Sequence, residues 1–265
     1  MSVIRKSARW RNAPCRFIRP PSELVIAIKR IRRASEEEVI ATFLRGEFHY
    51  PEFHRDRERF ADVVNDLASS GQREAEVRRS LLFRRRGHVW RELPSDTQWW
   101  EVKVDGEDFR KMNVFTRRHW RKMDPRDHSV PKFAEGMLSP RISRIPAVEA
   151  AKIFSLQERL AEGFAGNDTI LLVGIDQQQP TTILEGNKRV IAAYLADPAS
   201  VASRFRFLLG ISPDMSKCIF YRHTAANFLK YLWHRLTCAA FRAWRGFSRL
   251  ASHLEGENNS RECTR

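Results

Sequence analysis

Residues 169–175, TILLVGI, constrain the fold more than any other stretch. The run is apolar without a break, is too short for an ordinary helix, and ends at the polar turn 176–180, DQQQP. Such a run is the signature of a strand buried on both faces. A second short strand begins at Thr182 and stops at Glu185-Gly186-Asn187, where a helix starts with Lys188 and Arg189 in its first turn. A strand that ends at a glycine and opens a helix collects backbone N–H groups that lack intrahelical acceptors. With two cations beside them, they make a candidate anion or phosphate site.

The flanking segments read as elements of the same unit. Residues 146–164 carry Val148, Ile153, Leu156 and Leu160 as a helical apolar stripe, with Gly163 and Gly166 to end it. Residues 205–211, FRFLLGI, form a further strand, and Ser212-Pro213-Asp214 is a turn. Upstream, residues 99–104 alternate like a strand, 107–114 form a short helix, and 137–146, with Pro140 and Pro146, are a linker or long loop. Before them, Ser35 followed by Glu38 reads as a capping box, and Val39, Ile40, Phe43 and Leu44 then recur at helical spacing. Residues 49–53 are a loop, and helices follow at 55–68 and 74–85. The pattern implies an α+β chain: a basic extension (1–34), a helical region (35–93), a small mixed sheet with packed helices (94–222), and a long amphipathic C-terminal helix with its tail (223–265).

Charge bears on partners. The formal net charge is +15 over 265 residues, which favours polyanions such as DNA, RNA or nucleotides, and is also what a basic soluble protein carries. Residues 1–35 hold ten Lys or Arg against one acid, Glu23, with a short helix expected over 24–31. Arg117, Arg118, Arg121 and Lys122 surround His119 and Trp120; such a cluster could touch phosphates and stack a base, or be a solvated turn with a buried anchor. In the C-terminal helix Leu229, Trp233, Leu236, Ala240, Trp244, Phe247 and Leu250 fall near one face. That face could pack on the core or a partner, or lie on an anionic membrane. Cys15, Cys218, Cys238 and Cys263 lack zinc-ligand spacing, and no signal peptide or membrane span is evident, so free thiols in a reducing cytoplasm are expected. Asp176, Asp214 and His223 follow strand ends and could border the same cleft as the turn, or be turn formers and surface residues.

Read as chemistry, the turn divides its roles. Gly186 permits a tight backbone and close approach of a ligand. Asn187, Lys188 and Arg189 present N–H donors and, at Arg189, a fork suited to phosphate. Glu185, the acid of the turn, could hold a ribose hydroxyl, bind magnesium, or act as a base and so as a catalytic residue.

The order helix, LLVGI strand, polar turn, strand, Glu185-Gly186-Asn187-Lys188-Arg189, helix with Ala192-Ala193, and FRFLLGI strand resembles the ParB/sulfiredoxin fold. In that superfamily the corresponding box reads GERR in ParB, GGCHR in sulfiredoxin, and close to DGHTR in the free-serine kinase. The resemblance covers roughly residues 99–221. It implies a nucleotide pocket, with CTP or ATP as the ligand and magnesium as a companion ion. Gly186, Asn187, Lys188 and Arg189 would hold phosphate and Glu185 would be the nearby acid; from the basic cluster, and apart from the resemblance, Arg117 is a further candidate ligand-binding residue. Phosphotransfer or nucleotide hydrolysis is the reaction class that this implies. Asn187 stands where sulfiredoxin carries its reactive cysteine, so sulfinic-acid repair is not implied. Lys188 replaces the His or Thr of the kinase box, and no helix-turn-helix follows the core.

Overall fold

The computed structural model describes residues 28–66, 71–115, 120–123, 127–163 and 169–240. In chain order it contains β1 (Lys29–Arg33), α1 (Glu36–Glu47), α2 (His54–Asn65), α3 (Gln72–Trp90), β2 (Gln98–Lys103), α4 (Gly106–Arg110) and α5 (Val130–Met137). Then come α6 (Ala147–Ala161), β3 (Thr169–Gly174), β4 (Thr182–Glu185), α7 (Asn187–Ala196), α8 (Val201–Arg204) and β5 (Arg206–Ile211). A last helix, α9, occupies 225–240. The fold is α+β, and the five strands form one mixed sheet in the order β1-β2-β5-β3-β4. β3 runs parallel to β5, and the other pairings are antiparallel.

β3 is buried along its whole length, as its apolar run requires. Its side chains alternate between two cores. Ile170 and Leu172 point into a core with Val102, Phe207 and the apolar faces of α5, α6 and α7. Leu171 and Val173 point into the other, with Val39, Phe43, Leu44, Leu81 and Leu82 of α1 and α3. The helical region 35–93 therefore shares a core with the sheet and forms one of its two covering layers. α2 and α3 are joined through Arg78, which is buried and donates from Nε to the Val63 carbonyl (2.8 Å) and from Nη2 to the Asp66 carbonyl (2.6 Å). These bonds satisfy carbonyls that the end of α2 leaves open.

Several local expectations change. Residues 29–33 form an edge strand on β2 rather than the end of a helix over 24–31; residues before 28 lie outside the described set. All five side chains of this strand are exposed, so it carries no apolar alternation, and backbone pairing is what orders it. Arg30 lies over the Trp100 ring at 4.4 Å, and Arg32 reaches Glu38 (2.6 Å) and Glu101 (2.9 Å). Ser35 caps α1 by accepting from the Glu38 N–H (3.1 Å), while the Glu38 carboxylate turns to Arg32 and Arg206. Part of the expected linker at 137–146 is a 3₁₀ turn, Pro140–Arg144, preceded by the unanticipated α5.

Helix α9 turns the opposite way from its sequence pattern. Leu229, Trp233 and Leu236 are exposed at 63%, 66% and 58%, while Asn227 and Cys238 are buried. The polar face carries the anchors. Asn227 Nδ2 donates to the Ser216 (3.0 Å) and Arg222 (2.7 Å) carbonyls. Lys230 Nζ and His234 Nδ1 lie 3.4 and 2.7 Å from the carboxylate of the fully buried Glu92. Charge pairing and packing of Tyr231 on Phe220 outweigh the burial of the leucine stripe.

Candidate functional site

A cavity of about 720 Å³ opens where four pieces of chain meet, one of them the segment after α4 with Phe115 and Trp120. The β4–α7 turn supplies Glu185, Gly186, Asn187, Lys188 and Arg189, α6 supplies Lys152, Ser155 and Arg159, and α1 with its following loop supplies Arg45, Gly46, His49 and Tyr50. The turn thus lines a concave site, as its sequence suggested, and its opposite wall comes from a helix about 140 residues earlier.

Gly186 has φ of +102°, in the left-handed region that L side chains rarely enter. A Cβ there would also stand 2.4 Å from Cδ1 of Ile170. Conformation and space both demand glycine. The residue is the N-cap of α7, so the first N–H groups of that helix emerge at the cavity.

Asn187 uses its side chain to join chain segments. Its Oδ1 accepts from the Phe115 N–H (2.6 Å) and its Nδ2 donates to the Ile183 carbonyl (3.2 Å). This amide fixes the turn against the loop after α4, and what it offers a ligand is chiefly backbone.

The two cations of the turn already meet carboxylates. Lys188 Nζ is 2.7 Å from Glu149 in the first turn of α6, and Arg189 pairs with Glu185 one helical turn back. The Glu185 side chain is only 12% exposed. Burial pushes its carboxyl above the ordinary carboxylate range, against the pull of the Arg189 guanidinium. Gly46 explains how the carboxyl fits: a Cβ on Gly46 would lie 2.5 Å from Glu185 Cδ. The His49 ring packs tilted against Tyr50, centroids 4.2 Å apart, and desolvation lowers its imidazole below the usual value, towards the neutral form. Arg57 steadies this loop by donating to the Phe48 (3.1 Å) and Tyr50 (3.1 Å) carbonyls.

Arg117 lies outside the described residues, as do Arg118 and His119. Trp120 is buried against Phe133 at 4.9 Å, so within the basic cluster it is an anchor. Asp176 accepts from the N–H groups of Gln178 and Gln179 and forms its turn, and Asp214 pairs with Lys217. Cys218 and Cys238 are free thiols, and burial pushes Cys218 up to about 12. Such a thiol is no nucleophile near neutral pH.

Sequence reasoning did not anticipate Arg45, Gly46, His49, Tyr50, Lys152 or Arg159. Arg45 matters most, because no carboxylate partners it among the described residues. The acids of the cavity wall, Glu47 and Glu185, are paired with Arg86 (2.5 Å) and Arg189. Among the described residues no group of three or more His, Cys, Asp or Glu is placed to hold a metal. A magnesium ion would therefore depend mainly on oxygens brought by a ligand. No protein-family model matches the chain, and no curated protein or solved structure matches it.

Proposed function

We propose that the chain binds a nucleotide in this cavity, with its phosphates at the Glu185–Arg189 turn, in the manner of a ParB-like protein. The observation that carries the reading is the convergence of Arg45, Lys152, Arg159, Lys188 and Arg189 with the N-terminus of α7 on one concave site. Tyr50, on the same wall, offers a face for a base. CTP and ATP are the candidate ligands. Phosphate would compete with Glu185 for Arg189 and with Glu149 for Lys188, while Arg45 is available without displacement.

In this reading the backbone N–H groups of Lys188 and Arg189 receive a phosphate oxygen, and Arg45 closes on it from the α1 side. Glu185, held high by burial, takes up a proton when Arg189 turns to the ligand, so no unpaired buried charge is left behind. Before that uptake, as the carboxylate paired with Arg189, the same group is the base of a phosphotransfer or hydrolysis step. The alternative, a basic nucleic-acid-binding or complex-forming protein without catalysis, draws less support. Trp120 is buried, and Arg32 of the basic edge strand is engaged by Glu38 and Glu101.

Isothermal titration with ATP, ADP, CTP and GTP, with and without magnesium, tests the proposal. At least one should bind with Kd below about 1 mM, or about −4 kcal/mol. Arg45→Ala and Arg189→Ala should each weaken it about tenfold, the loss of one charge-assisted contact. If no nucleotide binds, or if both variants bind as the parent does, the reading fails.

A further inference from the structure

Helix α9 is mounted with its polar side inward. Glu92 has no exposed side-chain surface, and Lys230 and His234 reach it from α9. Lys230 Nζ also donates to the Lys217 carbonyl (2.8 Å), and Tyr231 meets Phe220 edge to face at 5.8 Å. These contacts fix the rotation of the helix about its axis. They leave Phe228, Leu229, Leu232, Trp233 and Leu236 on the outside, each between 39% and 66% exposed. Scattered apolar residues on a surface need no explanation, but an apolar stripe on one helix face does.

The charge of this segment indicates what covers the stripe. From His223 to Leu254 the sequence contains no Asp or Glu; Lys230 turns inward to Glu92, Arg235 is exposed on α9, and Arg242, Arg245 and Arg249 follow in the sequence beyond the described residues. Two copies of such a helix laid side by side would bring like charges together with no acid to offset them. An anionic surface suits both features. Apolar side chains enter the acyl boundary, a tryptophan sits well at the headgroup level, and long cationic side chains reach the lipid phosphates. No helix among the described residues is long and apolar enough to cross a membrane, so the geometry is that of a helix lying in the interface plane.

We propose that α9 is a membrane-surface element that docks the protein on anionic lipid through Leu229, Trp233 and Leu236. This is independent of what the cavity binds.

The test is co-sedimentation of the full chain with vesicles of phosphatidylcholine alone and with about 30 mol% phosphatidylglycerol. The anionic vesicles should retain the protein at least about tenfold better, and about 0.5 M salt should weaken the binding. The variant Leu229→Gln/Trp233→Gln/Leu236→Gln keeps the charge unchanged and alters only exposed positions. It should melt like the parent and lose about tenfold or more in vesicle partitioning. Retention of the triple variant on anionic vesicles would assign the binding to charge alone and overturn the proposal. So would a failure of the parent to bind, or a self-association by sedimentation velocity that the triple variant abolishes without any lipid binding by the parent.

Discussion

Glu92 and Glu185 are both carboxylates removed from solvent, and they are held differently. Glu92 is sealed completely and meets Lys230 and His234, which come from a helix that begins more than 130 residues later; the Ile219 N–H also approaches it at 3.4 Å. Glu185 retains 12% of its side-chain exposure and, among the described residues, has a single ion-pair partner, Arg189, in its own neighbourhood. Burial wins over that partner and raises its carboxyl. A carboxylate with several partners from distant segments holds a tertiary contact together. A carboxylate with one local partner, on the wall of a cavity, can exchange that partner for a ligand. Burial alone does not distinguish a structural acid from a functional one; the number and origin of its partners do.

The largest effect expected from this contrast is at Glu92. Glu92→Ala removes the group that two α9 side chains approach, and leaves a cavity beneath the helix. The two partners retain 37% and 21% exposure and can regain water, so the cost falls below that of a fully sealed pair, at about 2–3 kcal/mol. Urea denaturation should show that loss, and amide exchange should rise across 225–240 before it rises in β3. If exchange rises uniformly, or stability is unchanged, Glu92 is not the clasp of α9.

The sequence disclosed one half of this contrast better than the other. β2, β3, β4, α7 and β5 were legible because an alternating segment, unbroken apolar runs and a glycine between strand and helix are local signals with direct physical causes. The cavity-lining turn followed from them. The edge strand β1 was not legible: every side chain is exposed, and no apolar periodicity marks a strand held by backbone pairing and the contacts of two arginines. α9 was found as a helix with an apolar stripe, but whether the stripe met the core, a partner or a membrane stayed open, since periodicity locates a stripe and says nothing about a buried Glu92 that draws Lys230 and His234 inward. Arg45 and Gly46 escaped for a related reason. They lie within an amphipathic helix whose buried side is evident, and only the three-dimensional fold brings its last turn against Glu185.

Gly46 sharpens the other side of the comparison. Gly46→Ala places a methyl group where the Glu185 carboxyl now sits. The alanine favours helix by up to about 1 kcal/mol, and the displaced packing costs about 1–3 kcal/mol, so the net loss should be about 1 kcal/mol. The carboxyl is the far end of a flexible side chain and can move into the cavity, where water relieves its desolvation. A titration of Glu185 followed by carbon-13 NMR should then fall towards the ordinary glutamate value in this variant. An unchanged titration would mean that Gly46 does not set the carboxyl's environment.

The smallest effect, and the one most specific to Glu185, is pH-dependent. Its carboxyl is raised in the folded chain, so the folded state holds that proton more tightly than the unfolded state does. The resulting penalty is absent below the unfolded value, near the ordinary glutamate value of about 4.3, and it grows as pH rises towards the folded value. Above the folded value it is present in full. Glu185→Gln keeps a hydrogen-bonding group beside Arg189 and resembles the protonated acid, so it escapes the penalty. Urea denaturation should therefore place Glu185→Gln above the parent at pH 8, with the gap narrowing steadily as the pH falls towards 4. If the parent is instead the more stable at pH 8, the attraction of Arg189 outweighs burial, and Glu185 belongs with Glu92 as a structural acid.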